Sequence, residues 1–484
     1  MSNDPNWRRA LVIGGSMAGM LAARVLSEHC DEVLVVDKDD FPDKPENRPG
    51  TPQAFHPHRL LPRGKLILES LFPGWTDDLL AQGAFLKEGK RIRSVSVYGT
   101  MEVVDRKDAG ASRALLEWVI RRRLQAIPNV RFVNGYEATG LQMASDGAKV
   151  TGVAVRERSK SAQSMTLEAD LVLDASGRSS KLVKWLQALG YHVPEPERLK
   201  ASLGYSTRYY RIPPHVAEQW SVVVTEGVPA KGIGTAVFGP VEQDTAEVVL
   251  YYAGGQRYPT TDAGLYEQEL AALLDPSIAE LLQACEPLGP PRGYRVPECF
   301  RQRFERMERW PSGLLVMGDA LCNFDPIYGQ GITVAAIEAE LLAAQLRERH
   351  IHPKPFFERE ALRRMQEAID PAWWLTAVAD LRWPGVEYTG SHSREGIAFA
   401  QKYFELYRKQ AVGKPDMELF GKYMMMNGLL LSPRALLNAE AVRTVLAGDA
   451  SGEGERLLAE FGMEDRDHQL EQFLERTIPA GSYT

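Results

Sequence analysis

The chain has 484 residues, which is enough for two or three domains, and its 44% hydrophobic and 25% charged residues are typical of soluble globular proteins. A formal net charge of −7 argues against a broadly basic surface for nucleic acid. The four cysteines have no paired spacing, so we expect a reducing compartment, the cytoplasm, and neither disulfides nor a zinc site. No apolar stretch approaches the about 20 residues of a transmembrane helix.

A strand, a tight turn and a helix open the chain. Residues 10–13 are apolar, and the turn that follows has Gly14 and Gly19 at the outer positions of a G-x-G-x-x-G motif, with Ser16 in place of the middle glycine. Asp37 ends the next predicted strand, where a carboxylate can bind the ribose of an adenosine. This pattern predicts a dinucleotide site. A similar unit that binds no phosphate, or one that binds a nicotinamide dinucleotide, is the alternative.

Residues 40–64 are rich in proline and polar side chains, which predicts a long loop. We expect Arg48 and Gln53 in this loop to fold over the cofactor. His56 and His58 have no carboxylate or third histidine nearby in the sequence, so no metal site is predicted.

A predicted pair of strands, residues 91–104, precedes a helix whose N-terminal cap is Ser112. Arg113 lies in the first turn of that helix. Its side chain can either reach the pyrophosphate or form a surface pair with Glu117, four residues later.

A second strand, turn and helix follow at residues 167–189, with the sequence Asp174-Ala175-Ser176-Gly177 at the turn. We expect this turn to lie beside the first one on the same sheet and to close over the same cofactor.

Residues 190–300 contain segments rich in β-branched and aromatic side chains, which predict a separate sheet. Several side chains on these strands either line an apolar cavity or pack in the core: Tyr205, Thr207, Tyr209, Phe238 and Tyr251.

A third strand and turn, residues 314–331, precede a strongly helix-forming run that starts at Ile332. Asp319 ends the strand, where a carboxylate can accept hydrogen bonds from a polyhydroxyl chain. The turn with Gly329 and Gly331 should present backbone N–H groups at the positive end of the helix, which suits a ring that becomes anionic, such as a reduced flavin. The alternative is an ordinary strand, turn and helix of an α/β domain.

These three turns, in this order, resemble the three fingerprints of FAD-dependent monooxygenases of the para-hydroxybenzoate hydroxylase-like class, over residues 8–345. Further segments resemble the bacterial branch of polyether-type FAD epoxidases: residues 51–58, 71–74, 204–208 and 324–331.

With the patterns above, the resemblance implies an α/β fold with three parts. They are a discontinuous Rossmann-type FAD-binding domain (residues 1–85, 110–190 and 300–350), a β-sheet substrate domain (residues 86–109 and 191–299) and a helical C-terminal region (residues 351–484).

The resemblance also implies that one oxygen atom from O2 is inserted through a flavin C4a-hydroperoxide, most directly as epoxidation of an alkene in a bulky apolar secondary metabolite. Aromatic hydroxylation and a reductase or dehydrogenase of the geranylgeranyl-reductase-like type are alternatives, as is a non-catalytic flavoprotein. A flavin-dependent halogenase would carry a Trp-x-Trp-x-Ile-Pro signature, which this sequence lacks.

No nucleophile or general base is predicted, because the cofactor carries the chemistry. The positions that the resemblance assigns to FAD are Gly14, Ser16, Met17, Ala18, Gly19, Asp37, Lys38, Gln53, Arg113, Asp319, Pro326, Gly329 and Gly331, with Pro326, Gly329 and Gly331 beside the isoalloxazine. Ala175 and Cys322 depart from the class, which often has glycine and histidine there. NAD(P)H is therefore expected to supply electrons directly or through a separate flavin reductase, and the other expected partners are an apolar substrate and O2.

Overall fold

A computed structural model describes residues 7–158, 164–352, 356–463, 468–481 and 483. The strands in these ranges are β1 (Trp7–Ile13), β2 (Cys30–Asp37), β3 (Phe85–Leu86), β4 (Arg91–Ser96), β5 (Gly99–Val104), β6 (Ala109–Gly110), β7 (Val130–Asn134), β8 (Tyr136–Met143), β9 (Val150–Glu157), β10 (Ser164–Glu168), β11 (Leu171–Asp174), β12 (Glu197–Lys200), β13 (Leu203–Arg211), β14 (Trp220–Thr225), β15 (Thr235–Val241), β16 (Thr245–Tyr252), β17 (Glu286–Pro287), β18 (Arg292–Val296), β19 (Cys299–Arg301), β20 (Leu314–Val316), β21 (Cys322–Asn323) and β22 (Glu387–Thr389).

The α-helices are α1 (Met17–Leu26), α2 (Pro62–Leu71), α3 (Trp75–Ala81), α4 (Arg113–Gln125), α5 (Leu182–Ala188), α6 (Pro214–Gln219), α7 (Tyr266–Ala271), α8 (Ser277–Leu282), α9 (Gly331–Ile351), α10 (Phe357–Asp380), α11 (Arg394–Gly413), α12 (Met417–Asn427), α13 (Ala439–Ala447), α14 (Glu453–Glu460) and α15 (His468–Thr477). Within the described ranges, none of them combines the length and the apolar character that a membrane span requires.

A five-stranded parallel sheet has the order β20-β11-β1-β2-β7. Its central strands are continuous runs of apolar residues because other elements cover the sheet: α1 packs against β1 and β2, and the sheet β10-β9-β8 contacts β2 and β11. The register pairs Ile13 with Asp174 and Asp174 with Val316. The turns that follow β1, β11 and β20 therefore leave the same edge of the sheet, side by side.

Most strands of the second sheet are antiparallel, and their order is β17-β13-β16-β15-β14-β4-β5, with β18 also paired to β13. The strands predicted between residues 205 and 252 are confirmed as β13 to β16. The predicted pair at residues 91–104 is also confirmed, and β4 joins this sheet by pairing in parallel with β14. Two chain segments far apart in sequence thus build one surface.

The end of the chain is mainly helical, as predicted, and α11 packs against α12, α13, α14 and α15. One short strand interrupts it: β22 pairs with β12, which lies almost 200 residues earlier. The predicted helix after the third turn is confirmed as α9, which begins one residue earlier than expected and packs against α1, α2 and α10.

Candidate cofactor and substrate site

One continuous cavity of about 1940 Å³ runs from the edge of the parallel sheet to the face of the second sheet. Pockets that bind a single small molecule usually measure about 300–1,000 Å³. The cavity therefore has room for a long cofactor and a large second molecule. It is lined by every residue that the sequence assigns to FAD except Gly19.

The three predicted turns converge at one end of this cavity. A Cβ atom on Gly14, whose φ is +98°, would lie 2.5 Å from the carbonyl oxygen of Ala175. A Cβ atom on Gly318, whose φ is +64°, would lie 2.5 Å from the Cβ of Ala18. Both glycines are required because the turns approach each other more closely than any side chain allows.

Gly19, which the resemblance assigns to FAD, has a packing role in the structure. It is buried and does not line the cavity, and a Cβ atom there would lie 1.8 Å from the carbonyl oxygen of Gly14. Its lack of a side chain lets α1 pack closely against the turn after β1, which is the structural role of the last glycine in this motif.

A buried network of charges holds Asp37 at the end of β2. Its carboxylate accepts hydrogen bonds from the backbone N–H of Gly15 at 2.7 Å and from Arg48 at 3.2 Å. Arg48 also pairs with Asp39 and Glu117, each at 2.8 Å. Arg48 lines the cavity, but its Nε and Nη1 atoms are engaged by these three carboxylates. Its position fixes the acid that is predicted to bind ribose.

Arg113 was predicted either to reach the pyrophosphate or to pair with Glu117, and the structure shows the pair with Glu117. Its Nη2 atom pairs with Glu117 at 2.8 Å and donates a hydrogen bond to Ser16 Oγ at 2.8 Å. The pair is buried, so the surface version of that alternative is wrong. Nη1 is buried without a hydrogen-bond partner among the described residues, and the residue lines the cavity beside the first turn. That N–H group is suited to an anionic oxygen of a ligand.

Asp319 is the carboxylate at the end of β20, and it lines the cavity without a hydrogen bond to any described residue. Burial raises the pKa of Asp319 to about 6, although Arg178 and Arg113 oppose the shift. This acceptor faces the cavity and has no donor from the protein, so a ligand that brings hydroxyl groups fits this position.

We call the half of the cavity beside the parallel sheet the cofactor half, because the residues assigned to FAD line it. It ends at a turn followed by the N-terminus of α9. Residues Pro326–Tyr328 form a short 3-10 helix, and Gly329 has φ +67°. The side chain of Gln330, which precedes α9, accepts a hydrogen bond from Thr376 Oγ1 at 2.7 Å. It therefore does not cap the helix, and the N–H groups of the first turn have no intrahelical acceptor. This positive end faces the cavity.

Two adjoining carboxyl groups lie behind that turn, and sequence analysis did not find them. Asp325 accepts a hydrogen bond from Ile327 N at 3.0 Å, and Asp380 accepts one from Tyr328 OH at 2.6 Å. The remaining oxygen of each has no donor among the described residues. Burial raises the pKa of both groups, and for Asp380 the charge of Asp325 adds to the shift. The two can hydrogen-bond each other only when one carries a proton.

A third buried acid supports Gly318. Glu338 on α9 accepts a hydrogen bond from Gly318 N at 2.6 Å. Burial raises the pKa of Glu338 to about 8, so this carboxyl group is largely neutral at pH 7. Glutamate in a helical run gave no signal of this role in the sequence.

The second half of the cavity is a chamber against the antiparallel sheet. Of the side chains predicted to face a cavity or the core, Tyr205 and Tyr251 line the chamber. Thr207 hydrogen-bonds His56 Nδ1 at 2.9 Å, and Tyr209 OH donates to Phe55 O at 2.9 Å. The predicted loop covers these two, whereas Phe238 is fully buried in the core.

The mouth of the chamber is unusually apolar. Among the large hydrophobic side chains that are exposed, six line the cavity: Leu66, Val97, Val104, Met417, Met424 and Met425. Methionine adapts its shape to irregular apolar ligands. A rim of this kind suits the passage of a bulky apolar molecule.

The two histidines of the predicted loop are neutral. Burial lowers the pKa of His56 to about 4 and that of His58 to about 3. Within the ranges that the structure describes, no three His, Cys, Asp or Glu side chains are grouped as metal ligands would be.

No family model matches the chain. Protein Rv3254 of Mycobacterium tuberculosis (strain ATCC 25618 / H37Rv) is 32% identical to it over 394 residues, which cover 77% of this chain and 80% of that protein.

Among solved structures, the flavin-dependent brominase Bmp2 superposes with a TM-score of 0.57 at 15% identity, over 95% of this chain and 99% of the brominase. The p-nitrophenol 4-monooxygenase PnpA from Pseudomonas putida DLL-E4 superposes with a TM-score of 0.59 at 16% identity, over 86% of this chain and 96% of PnpA. The chain thus has the Rossmann-type fold of flavoenzymes with a helical C-terminal region, as its sequence predicted.

Proposed function

We propose that this chain, which belongs to the family of Protein Rv3254 of Mycobacterium tuberculosis, is an FAD-dependent monooxygenase that epoxidises an alkene of a bulky apolar secondary metabolite. The convergence of three turns from adjacent parallel strands on one end of a two-part cavity carries this proposal. A dinucleotide cofactor fits the first half, and an apolar substrate fits the second.

The cofactor half contains groups that match FAD along its length. Asp37 would accept hydrogen bonds from the adenosine ribose, and the N–H groups at the start of α1, with Arg113, would bind the pyrophosphate. Asp319 would accept hydrogen bonds from the ribityl chain. Gly329, Gly331 and the positive end of α9 would hold the isoalloxazine. Lys38 and Gln53 line the same cavity, and we assign them to the adenosine and ring contacts.

FAD bound here would supply, when reduced, the two electrons with which one oxygen atom of O2 enters the substrate and the other leaves as water, and NAD(P)H would restore those electrons. The protein's part is to position the alkene and to exclude water. The apolar walls and rim of the chamber do both. Electrons arrive from NAD(P)H directly or through a separate flavin reductase.

The chamber favours an alkene over a phenol. Hydroxylation of a phenol benefits from a base that removes a proton, whereas epoxidation removes none. The chamber contains the carboxyl group of Glu247, and burial raises its pKa to about 8. Its Oε1 atom lies 2.6 Å from Tyr209 OH, within hydrogen-bond distance. At neutral pH this group is largely protonated, so only a minor fraction of the molecules has a carboxylate here that can accept a proton from a phenol.

The location that we propose is the cytoplasm. Its support is that all four cysteines are free, at Cys30, Cys285, Cys299 and Cys322, as expected in a reducing compartment.

Cofactor binding is tested with Asp319→Ala. We expect the purified protein to be yellow and to hold one FAD, and the variant to bind FAD about 10–100-fold more weakly, because hydrogen bonds to a charged acceptor are lost. Asp146→Ala, in an exposed loop, is the control. Equal FAD affinity in all three proteins would overturn the assignment of Asp319.

Oxygen transfer is tested by stopped-flow absorbance. The protein is reduced without oxygen and mixed with oxygenated buffer, with and without long-chain alkenes, and products are identified by mass spectrometry. We expect a long-lived transient band before the oxidised spectrum returns, and an alkene product heavier by one oxygen atom. Direct return to oxidised flavin that no alkene changes would favour a reductase or dehydrogenase.

A further inference from the structure

Arg59 lies in the cavity without a charged partner. It follows His58 in the predicted loop, and it forms no ion pair or hydrogen bond with any residue in the described ranges. Protein surrounds the side chain, yet it keeps a large accessible area, because that area faces the cavity. Burial lowers the pKa of Arg59, while Asp105 and Asp108 oppose the shift from a distance. A guanidinium that faces a cavity without an ion pair can bind an anionic group of a ligand.

A second cation stands near it. Lys87 also lines the cavity, and its Nζ atom lies 3.6 Å from Asp108, which pairs more closely with Lys65. Arg59, Lys65 and Lys87 carry three positive charges against the two negative charges of Asp105 and Asp108 in this part of the wall. Arg106 and Lys107 line the cavity as well, and Lys107 pairs with Asp77, so this part of the wall has a surplus of positive charge that suits an anion.

Arg59 contacts the Gly329 turn, which is proposed to hold the flavin ring. A Cβ atom on Gly329 would lie 2.8 Å from the Cβ of Arg59. The backbone of Arg59 thus packs on the turn that is proposed to lie against the isoalloxazine. Leu66 and Val104, two members of the apolar rim, lie next in sequence to Lys65 and Asp105. An anionic group and an apolar chain would both find partners here.

We propose that Arg59 and Lys87 bind a carboxylate, so that the substrate is an unsaturated apolar molecule with an acid group. This inference rests on the proposed function for the alkene, but the carboxylate site itself does not depend on catalysis. A planar guanidinium binds a carboxylate through two parallel hydrogen bonds and fixes its orientation. Held in this way beside the Gly329 turn, the acid sets which double bond reaches the ring.

The test is isothermal titration calorimetry of the full chain, as purified, with three ligands: 10-undecenoate, its methyl ester and 10-undecenyl phosphate. The variants are Arg59→Gln, Arg59→Lys and Lys87→Gln. Lys422→Gln, on the exposed face of α12, is the matched control. The FAD content of every protein is read separately from its visible spectrum, so that a failure of the proposed function is seen independently of the binding result.

The wild type and the control should bind the acid at least tenfold more tightly than the ester, and added salt should reduce this preference. Arg59→Gln should lose about 10–100-fold in affinity for the acid and nothing for the ester. Arg59→Lys should keep part of the preference because it keeps the charge. Lys87→Gln should show a smaller loss, since Asp108 already offsets its charge, and this variant tests the site if Arg59→Gln does not fold.

Several results would overturn the proposal. Equal affinities of the wild type for acid and ester, or no binding of any of the three ligands, would exclude a carboxylate site. Tighter binding of the phosphate than of the acid would exclude a carboxylate as the natural group. Loss of FAD from Arg59→Gln with an unchanged preference for the acid would assign Arg59 to the cofactor.

Discussion

The two ends of the cofactor half differ in how their buried carboxyl groups are stabilised: by ion pairs at one end and by protonation at the other. At the adenosine end, Arg48 joins Asp37, Asp39 and Glu117 in buried ion pairs, so every charge has a partner. At the ring end, burial raises the pKa of Asp325 and Asp380, and no cation forms an ion pair with either within the described ranges. Charges are paired at the end proposed to hold the adenosine, and protons are retained at the end proposed to hold the flavin ring.

Removal of the Arg48 cation should destabilise the adenosine end. Arg48→Met removes the cation that Asp37, Asp39 and Glu117 share. Arg113 still pairs with Glu117 at 2.8 Å and Arg158 lies 3.7 Å from Asp39, but Asp37 loses its cation, and we expect the free energy of unfolding to fall by about 3–5 kcal/mol. Arg9→Gln, which breaks the partly exposed pair with Glu32, should cost at most about 1 kcal/mol. Urea denaturation measures both. A loss below about 1 kcal/mol for Arg48→Met would show that water replaces the missing partner.

The glycine turn at the end of β20 connects the two ends, and Gly318→Ala tests how tightly it is packed. The positive φ costs about 1–2 kcal/mol, and contact of the new methyl group with Ala18 adds about 1–3 kcal/mol. Gly232→Ala is a matched control, since its φ is +66° and nothing lies within 4 Å of the added Cβ. Thermal denaturation should show a larger loss for Gly318→Ala, together with weaker FAD binding. Equal losses of thermal stability in the two variants would mean that backbone strain accounts for the whole effect and that the contact with Ala18 adds nothing.

Stability measured at a series of pH values tests whether Asp325 and Asp380 share a proton at the ring end. Burial raises the pKa of Asp325 to about 7, against about 3.9 in an unfolded chain. The folded state therefore holds its proton longer than the unfolded state, so stability is present at low pH and is lost as the pH rises from about 4 to about 7. Asp380→Asn should reduce this loss of stability at higher pH, because the amide can donate a hydrogen bond to the ionised carboxylate of Asp325.

We expect the free energy of unfolding of Asp380→Asn, relative to the wild type, to rise by about 1–2 kcal/mol between pH 5 and pH 8. Urea denaturation at a series of pH values measures this difference. Parallel curves for the two proteins would show that Asp325 and Asp380 do not share a proton.

Local patterns determined much of the fold. The cap at Ser112 and the start of α9 were predicted within a residue, because caps and turns depend on φ angles and hydrogen bonds of neighbouring residues. Segments rich in β-branched and aromatic side chains predicted most strands of the second sheet. Apart from Gly19, the residues assigned to the cofactor all line one cavity.

Only the tertiary structure decided which distant residues meet. Asp380 lies 55 residues after Asp325, at the far end of α10, and nothing in either segment predicts their contact. Arg59 became noticeable only because its neighbours in space leave it unpaired, and Phe238 left the cavity because the sheet turns it toward the core. A sequence specifies the backbone shape of each turn. Burial and charge partners depend on contacts across the whole chain, and they set the pKa values and the open positions on which the site depends.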